Sequence, residues 1–171
     1  MKSQDVVVAL KLLSAGPAKS FAELGASLGI SASESHAAVR RLVEARLWDS
    51  SLKRLNRQAL LGFLVHGVPY VFPAALKEAT RGIPTGWAAP VFGGKIIANE
   101  PPPVWPDPDG EVRGQAVKPL YPSVVYAARQ DSKLHDLLAL VDALRLGRAR
   151  ERKMAEQELE KPLFYLVCWE G

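Results

Sequence analysis

The sequence predicts a mainly α chain with a small β component, and three observations lead there. Residues 20–47 carry two sets of helix-capping residues around a turn glycine. Residues 134–144 repeat apolar side chains at helical spacing. Between them, 11 of the 13 prolines fall in residues 69–122, where long helices cannot form. The expected organisation is a helical head over residues 1–67 and a C-terminal region over residues 68–171. In the latter, an irregular Pro/Gly-rich, β-containing segment leads into a long C-terminal helix.

Residues 4–14, QDVVVALKLLS, predict an opening helix with Val6, Val7, Leu10 and Leu13 as its apolar stripe, ended by Gly16-Pro17. Ser20 then caps a short helix, with Glu23 completing a capping box and Phe21, Leu24 and Leu28 facing inward. Gly29 supplies the left-handed residue that ends it, and Ile30 enters the core at the turn. Ser31 caps the next helix, with Glu34 three residues on, and that helix should run to about Ala45. Its inward set is Ser35, Ala38, Val39 and Leu42. Its outward set is Ser33, His36, Ala37 and Arg40, with Arg41 at the edge. The outward face is small near its start and basic further on. Small groups let a backbone approach bases, and guanidinium groups reach guanine edges or phosphates.

The stretch AELGASLGISASESHAAVRRLVEARL resembles the helix-turn-helix of bacterial winged-helix, MarR-like transcriptional regulators, and the resemblance covers roughly residues 3–55. Gly29, the Ser31 cap and the Leu42/Leu47 pair carry it. It implies a winged helix-turn-helix head that binds double-stranded DNA sequence-specifically and reads the major groove with helix 31–45. Bases would be read by Ser33, His36, Ala37 and Arg40. Phosphates would be held by Lys19, Ser31, Arg41, Lys53 and Arg54, aided by helix N-terminal amides. The biological outcome implied is repression or activation of a promoter.

Only Trp48–Leu55 separates the head from the next helix signal, so any wing is expected to be no more than a tight turn carrying Lys53 and Arg54. Asn56 caps NRQALLGFLVHG, which Gly67 ends; its apolar residues wrap most of the way round, and His66 is expected near the core. In the Pro/Gly-rich stretch, Tyr70, Phe72, Trp87, Phe92, Trp105 and Tyr121 give too much to bury for a disordered linker. Asp107-Pro108-Asp109-Gly110 predicts a hairpin with arms Val104–Pro106 and Val112–Lys118, whose Arg113 offers a displaced wing. Ser123 caps a short helix, and Asp131 or Ser132 starts a longer one along Leu134, Leu137, Leu138, Val141 and Leu144. Gly147 loosens it before it resumes to Lys161. Such a length suggests a homodimer contact. The tail, LFYLVCWE, reads as a terminal strand.

Net charge is +4, with eight Lys/Arg against five acids in residues 1–55 and a second cluster at Arg145, Arg148, Arg150, Arg152 and Lys153. One cysteine, Cys168, leaves no internal disulfide, and no apolar run approaches a bilayer span or a secretory leader. A soluble cytoplasmic protein, nucleoid-associated when on DNA, is expected. The three histidines sit on different elements, Gly93-Gly94-Lys95 lacks the P-loop pattern, and no serine elbow occurs. Neither an enzyme nor a metal or cofactor is therefore expected. The alternative from another class is a protein-interaction module, regulatory or antitoxin-like, whose basic cluster meets an acidic protein partner. A small-molecule pocket lined by Trp87, Phe92 and Trp105 is a third reading.

Overall fold

A computed structural model describes residues 1–165 and has the expected mainly helical character with small sheets. Helix α1 spans Ser3–Ala15, α2 Phe21–Leu28 and α3 Ala32–Glu44. Most caps are where local chemistry puts them, but Ser123 corrects the sequence reading: it makes no side-chain cap bond, and its buried hydroxyl has no partner among the described residues. Ser20 accepts from the Glu23 amide, Ser31 and Glu34 form a reciprocal capping box, and Gly29 is left-handed at φ 67°. A short antiparallel hairpin follows, β1 (Trp48–Asp49) against β2 (Arg54–Leu55), paired Trp48 to Leu55 and Asp49 to Arg54. Asp49 closes its loop by accepting from the Ser51 and Leu52 amides at 2.9 and 3.0 Å and from the Ser51 hydroxyl at 2.6 Å.

Helix α4 (Arg57–His66) starts at the Asn56 cap and is followed by the single turn α5 (Val68–Val71). His66 corrects the sequence reading: it is exposed. The Pro/Gly-rich segment holds three strands, β3 (Leu76–Pro84), β4 (Pro103–Pro106) and β5 (Val112–Val117), and two 3-10 turns. The predicted arms are strands, but they do not form a hairpin. Each pairs antiparallel with β3, and they pair parallel with each other, Pro103 with Gln115 and Val104 with Ala116, so the three strands close on themselves. Gly82 permits this. It is opposite both Pro106 and Val112, and a Cβ there would sit 1.9 Å from the Trp105 carbonyl oxygen. β3 escaped notice because LKEATRGIP is largely exposed and shows no alternation.

Helices α6 (Val124–Gln130), α7 (Ser132–Leu146) and α8 (Ala149–Phe164) complete the described chain. The single long C-terminal helix is corrected. Gly147 stands at φ 90° and ends α7, and α8 folds back against α7 and α4. Ala155, Leu159 and Leu163 of α8 are buried within the chain, so the length argument for a dimer contact lapses. Leu163 and Phe164 of the expected terminal strand are helical, Tyr165 follows α8, and the rest of that strand lies outside the described residues. Among the described residues, no helix is long and apolar enough to cross a membrane.

One apolar cluster runs from Val6 to Leu163 across residue 67, with α1 and α7 at its centre. Val6 to Leu10 are all at most 1% exposed, so α1 is enclosed rather than one-sided as its predicted stripe implied. Polar groups stitch the layers together. Lys11 Nζ lies 2.7 Å from Asp131 Oδ2, which also accepts from Ser14, while Asp131 Oδ1 caps α7 at the Leu134 amide. Asp142, 1% exposed, accepts from Trp105 Nε1 (2.6 Å), Thr85 Oγ1 (2.7 Å) and Arg145 Nη1 (2.5 Å). Arg145 Nε donates in turn to the Phe72 carbonyl at 2.7 Å. Burial pushes the Asp142 carboxyl up from its ordinary range, and Arg145, Thr85 and Trp105 pull the other way. This knot binds the strand region to α7.

Asp142→Ala would strand Arg145 in the interior, so urea denaturation should show a loss of about 3–5 kcal/mol. At Asp131, burial raises the carboxyl pKa, but the hydrogen bonds from Lys11, the Leu134 amide and Ser14 outweigh it and the net shift is downward. Stability from this group is therefore present above the ordinary carboxylate pKa and lost as pH falls through the lower folded value. Lys11→Met should flatten the acid limb of a stability–pH curve, and an unchanged limb would refute this assignment.

Candidate nucleic-acid interface

The outward face of α3 is built by its inward one. Ser35, Ala38 and Leu42 are fully buried, which leaves Ser33, His36 and Arg40 exposed in a row with Ala37 half-buried beside them. The four residues expected to read bases therefore share one face. His36 is steadied by Phe21, whose ring stands edge-on at a centroid distance of 4.9 Å. Phe21 was expected in the core and is instead 41% exposed, which places its ring at the α2–α3 surface. Arg40 has only a weak exposed partner, Glu44 at 3.6 Å.

Of the expected phosphate-holding residues, Lys19, Lys53 and Arg54 are exposed. Lys19 and Lys53 line the same cavity of about 400 Å³, between the start of α2, the side of α3 and the hairpin, whose floor includes Leu12, Leu24, Val39 and Trp48. Arg54 lies on the other side of the hairpin. Ser31 is exposed, but its hydroxyl is bound to Glu34 Oε2 at 2.8 Å as part of the cap. That cap also holds the Glu34 carboxyl below its usual range, chiefly through the Ser31 amide.

Arg41 corrects the sequence reading. Its Nε donates to both oxygens of Asp5, at 3.0 and 2.9 Å, and its Nη2 to Oδ1 at 2.7 Å. Asp5 is 0% exposed and also accepts from the Lys2 amide at 2.7 Å, so it caps α1 and anchors α3 at once. Arg41 is thus a positioning residue, spent on the interior rather than offered to phosphate. One signal was available: an aspartate inside the apolar run QDVVVAL must be buried with a partner.

Two further contacts missed by the sequence reading come from the far end of the chain. Gln4 Nε2 donates to the Tyr121 hydroxyl at 3.1 Å and to Glu34 Oε1 at 3.3 Å, so Tyr121 sits beside the α3 cap. The Tyr126 ring covers the turn, where a Cβ on Gly29 would be 2.9 Å from its Cδ1. Gly29 is therefore required for close approach as well as for its backbone conformation. The aromatic pocket proposed for a small molecule is not formed by its residues: Trp105 and Phe92 are each 1% exposed in the core, and the Trp105 N–H is taken by Asp142. Among the described residues, no three His, Cys, Asp or Glu side chains come together as a metal site.

Compared with known proteins, the chain matches no family model, no curated protein and no solved structure. The reading of this surface therefore rests on its chemistry alone.

If Arg41 is structural, Arg41→Ala leaves a buried carboxylate unpaired and should cost about 3–5 kcal/mol in denaturant unfolding. Arg41→Lys should recover only part of that, because an ammonium cannot reproduce the bidentate fork. A variant of wild-type stability would return Arg41 to the surface set.

Proposed function

We propose that this protein is a sequence-specific double-stranded DNA-binding regulator of the winged helix-turn-helix kind, with α2 as the positioning helix and α3 as the reader. The observation that carries the reading is the exposed face Ser33–His36–Ala37–Arg40, small where backbone must approach bases and cationic where reach is needed. Arg40 is the strongest candidate for a guanine edge, since its guanidinium is exposed and only loosely held by Glu44. His36, set by Phe21, and Ser33 lie nearer the α3 N-terminus, the end that enters a groove in this type of motif.

Lys19, Lys53 and Arg54 supply phosphate contacts around it, together with the amides at the start of α3 next to Ser31. The two-residue strands β1 and β2 serve as a minimal wing, too short to enter a groove deeply but able to present cations to a backbone. A homodimer with its two α3 helices about one turn of duplex apart would read a pseudo-palindrome. With α8 packed inside the chain, that pairing needs a surface other than the α7–α8 stripe.

Selection from a randomised duplex library at two salt concentrations tests the proposal. A motif retained at the higher salt supports it, and a pseudo-palindrome supports the dimer. Enrichment without a motif that vanishes at higher salt would reduce the surface to a non-specific basic patch. With the selected site in hand, Arg40→Ala should cost about 1–3 kcal/mol at one or two base positions. Lys19→Ala should weaken every sequence alike and flatten the salt slope by about 0.9. Equal losses on all sequences for Arg40→Ala would remove it from base reading.

A further inference from the structure

On the side of the hairpin away from Lys19 lies a second, larger groove of about 930 Å³. Its walls are the end of α3 (Val43, Arg46), the hairpin with Arg54, and the start of α4 at Arg57. Three arginines thus face one groove, and Asp49 is the one acid among its lining residues. One of the Asp49 oxygens is already occupied by Ser51 and Leu52. Three positive charges against one negative leave a net +2 in the lining.

These arginines are set apart by facing one groove, since Arg81, Arg113, Arg150 and Arg152 also lack a carboxylate partner among the described residues. Arg41, Arg129, Arg145 and Arg148 each answer a carboxylate, on Asp5, Asp107, Asp142 and Glu100 respectively. Among the described residues, Arg46 and Arg54 make no side-chain hydrogen bond or close ion pair. Arg54 does stand across the strand pair from Asp49, and after the bonds from Ser51 and Leu52 its charge helps to hold that carboxyl below its ordinary range. Arg57 commits only Nη1, to the Leu163 carbonyl at 2.9 Å, which fixes its fork and leaves its other donors unspent. Arginine is well matched to phosphate oxygens when its planar fork is held and unpaired.

The backbone gives an independent observation. Two non-glycine residues have positive φ among the described residues, Arg46 at 59° and Lys53 at 48°. Both are cations, and they stand at either edge of β1 and its loop. Arg46 occupies the position after the α3 C-cap where glycine is usual. The Arg46 amide bonds the Val43 carbonyl and the Leu47 amide the Leu42 carbonyl, both at 2.9 Å, in a Schellman arrangement. Glycine would adopt this conformation without a Cβ penalty. A long cation held there at the expense of backbone strain points to work done by its side chain.

We infer that this groove, through Arg46, Arg54 and Arg57, seats the phosphodiester backbone of a duplex whose bases α3 reads. The inference rests on the DNA-binding reading, which already gives Arg54 to phosphate, and extends it to Arg46 and Arg57. The groove shares Trp48 and Ser50 with the cavity that Lys19 and Lys53 line, so cations flank the hairpin on both sides. A hairpin so flanked can follow a backbone rather than grip one phosphate. These contacts add affinity and register without reading sequence.

The test uses the full chain, a randomised duplex and the selected site, over a salt series. Arg46→Gly and Arg57→Gln should each flatten the log–log salt slope by about 0.9, and the pair together by about 1.8, with base preference unchanged. Arg46→Gly should meanwhile keep or raise the Tm, because the strained φ is relieved; a purely structural arginine would show no such opposition of binding and stability. If the wild type binds DNA and both variants keep its slope, the groove is not a backbone seat, while the DNA reading stands. If inorganic phosphate raises the Tm of the wild type but not of Arg46→Gly, and the DNA slopes are equal, the groove belongs to a free anion and the inference is overturned. If the wild type binds no duplex at all, the DNA reading falls and takes this inference with it.

Discussion

A carboxylate at zero exposure has to be answered, and the answer to Asp5 fixes the head. Asp5 closes the first turn of α1 through the Lys2 amide and receives the Arg41 fork from α3. Because the fork is bidentate, it sets the roll of α3 as well as its distance from α1. The fully buried Ser35, Ala38 and Leu42 lie opposite Ser33, His36 and Arg40 on α3, while Ala37, one turn before Arg41, is half-buried beside it. The exposed face is thus set by what α3 buries, and the interior ion pair fixes how α3 sits on α1. Desolvation offsets much of the attraction in such a pair, so its contribution is one of orientation more than of net stability.

The device recurs on the other enclosed helix. α7 carries Asp142, answered by Arg145 and by donors from Thr85 and Trp105, and this holds the closed three-stranded region against it. Lys11 and Asp131 then join α1 to α7 directly. Tyr121 and Tyr126, just before and within α6, reach back to the α3 cap and the Gly29 turn. The head is therefore not an appendage: the alignment of its turn depends on chain more than 90 residues away.

What was legible in the sequence was local. Caps at Ser20, Ser31, Asn56 and Asp131 depend on residues three positions apart, and all four accept the bond expected of them. The outward face of α3 follows from periodicity within 13 residues. What was not legible was pairing over distance. Nothing near Arg41 says that its partner lies 36 residues back, and nothing near Asp107–Gly110 says that both flanking strands will pair antiparallel with β3 and parallel with each other. Gly82, which permits that choice by close approach, looks in sequence like any loop glycine. Gly147 was recognised as a weak point, but whether a helix bends or breaks there is decided by what α8 can bury against α4 and α7, a tertiary question.

The central claim is the proposal that α3 enters duplex DNA with the face opposite its buried Ser35, Ala38 and Leu42. Titrating the isotopically labelled protein with its selected duplex and following backbone amide shifts tests it most directly. The account predicts that the largest changes fall at Lys19–Ser20, along Ser31–Arg40 and at the hairpin loop Ser50–Arg54, with the strand region around Gly82 unmoved. Changes centred on β3–β5 or on Arg148–Lys153, with Ser33, His36 and Arg40 silent, would contradict it and move the binding surface to another part of the molecule.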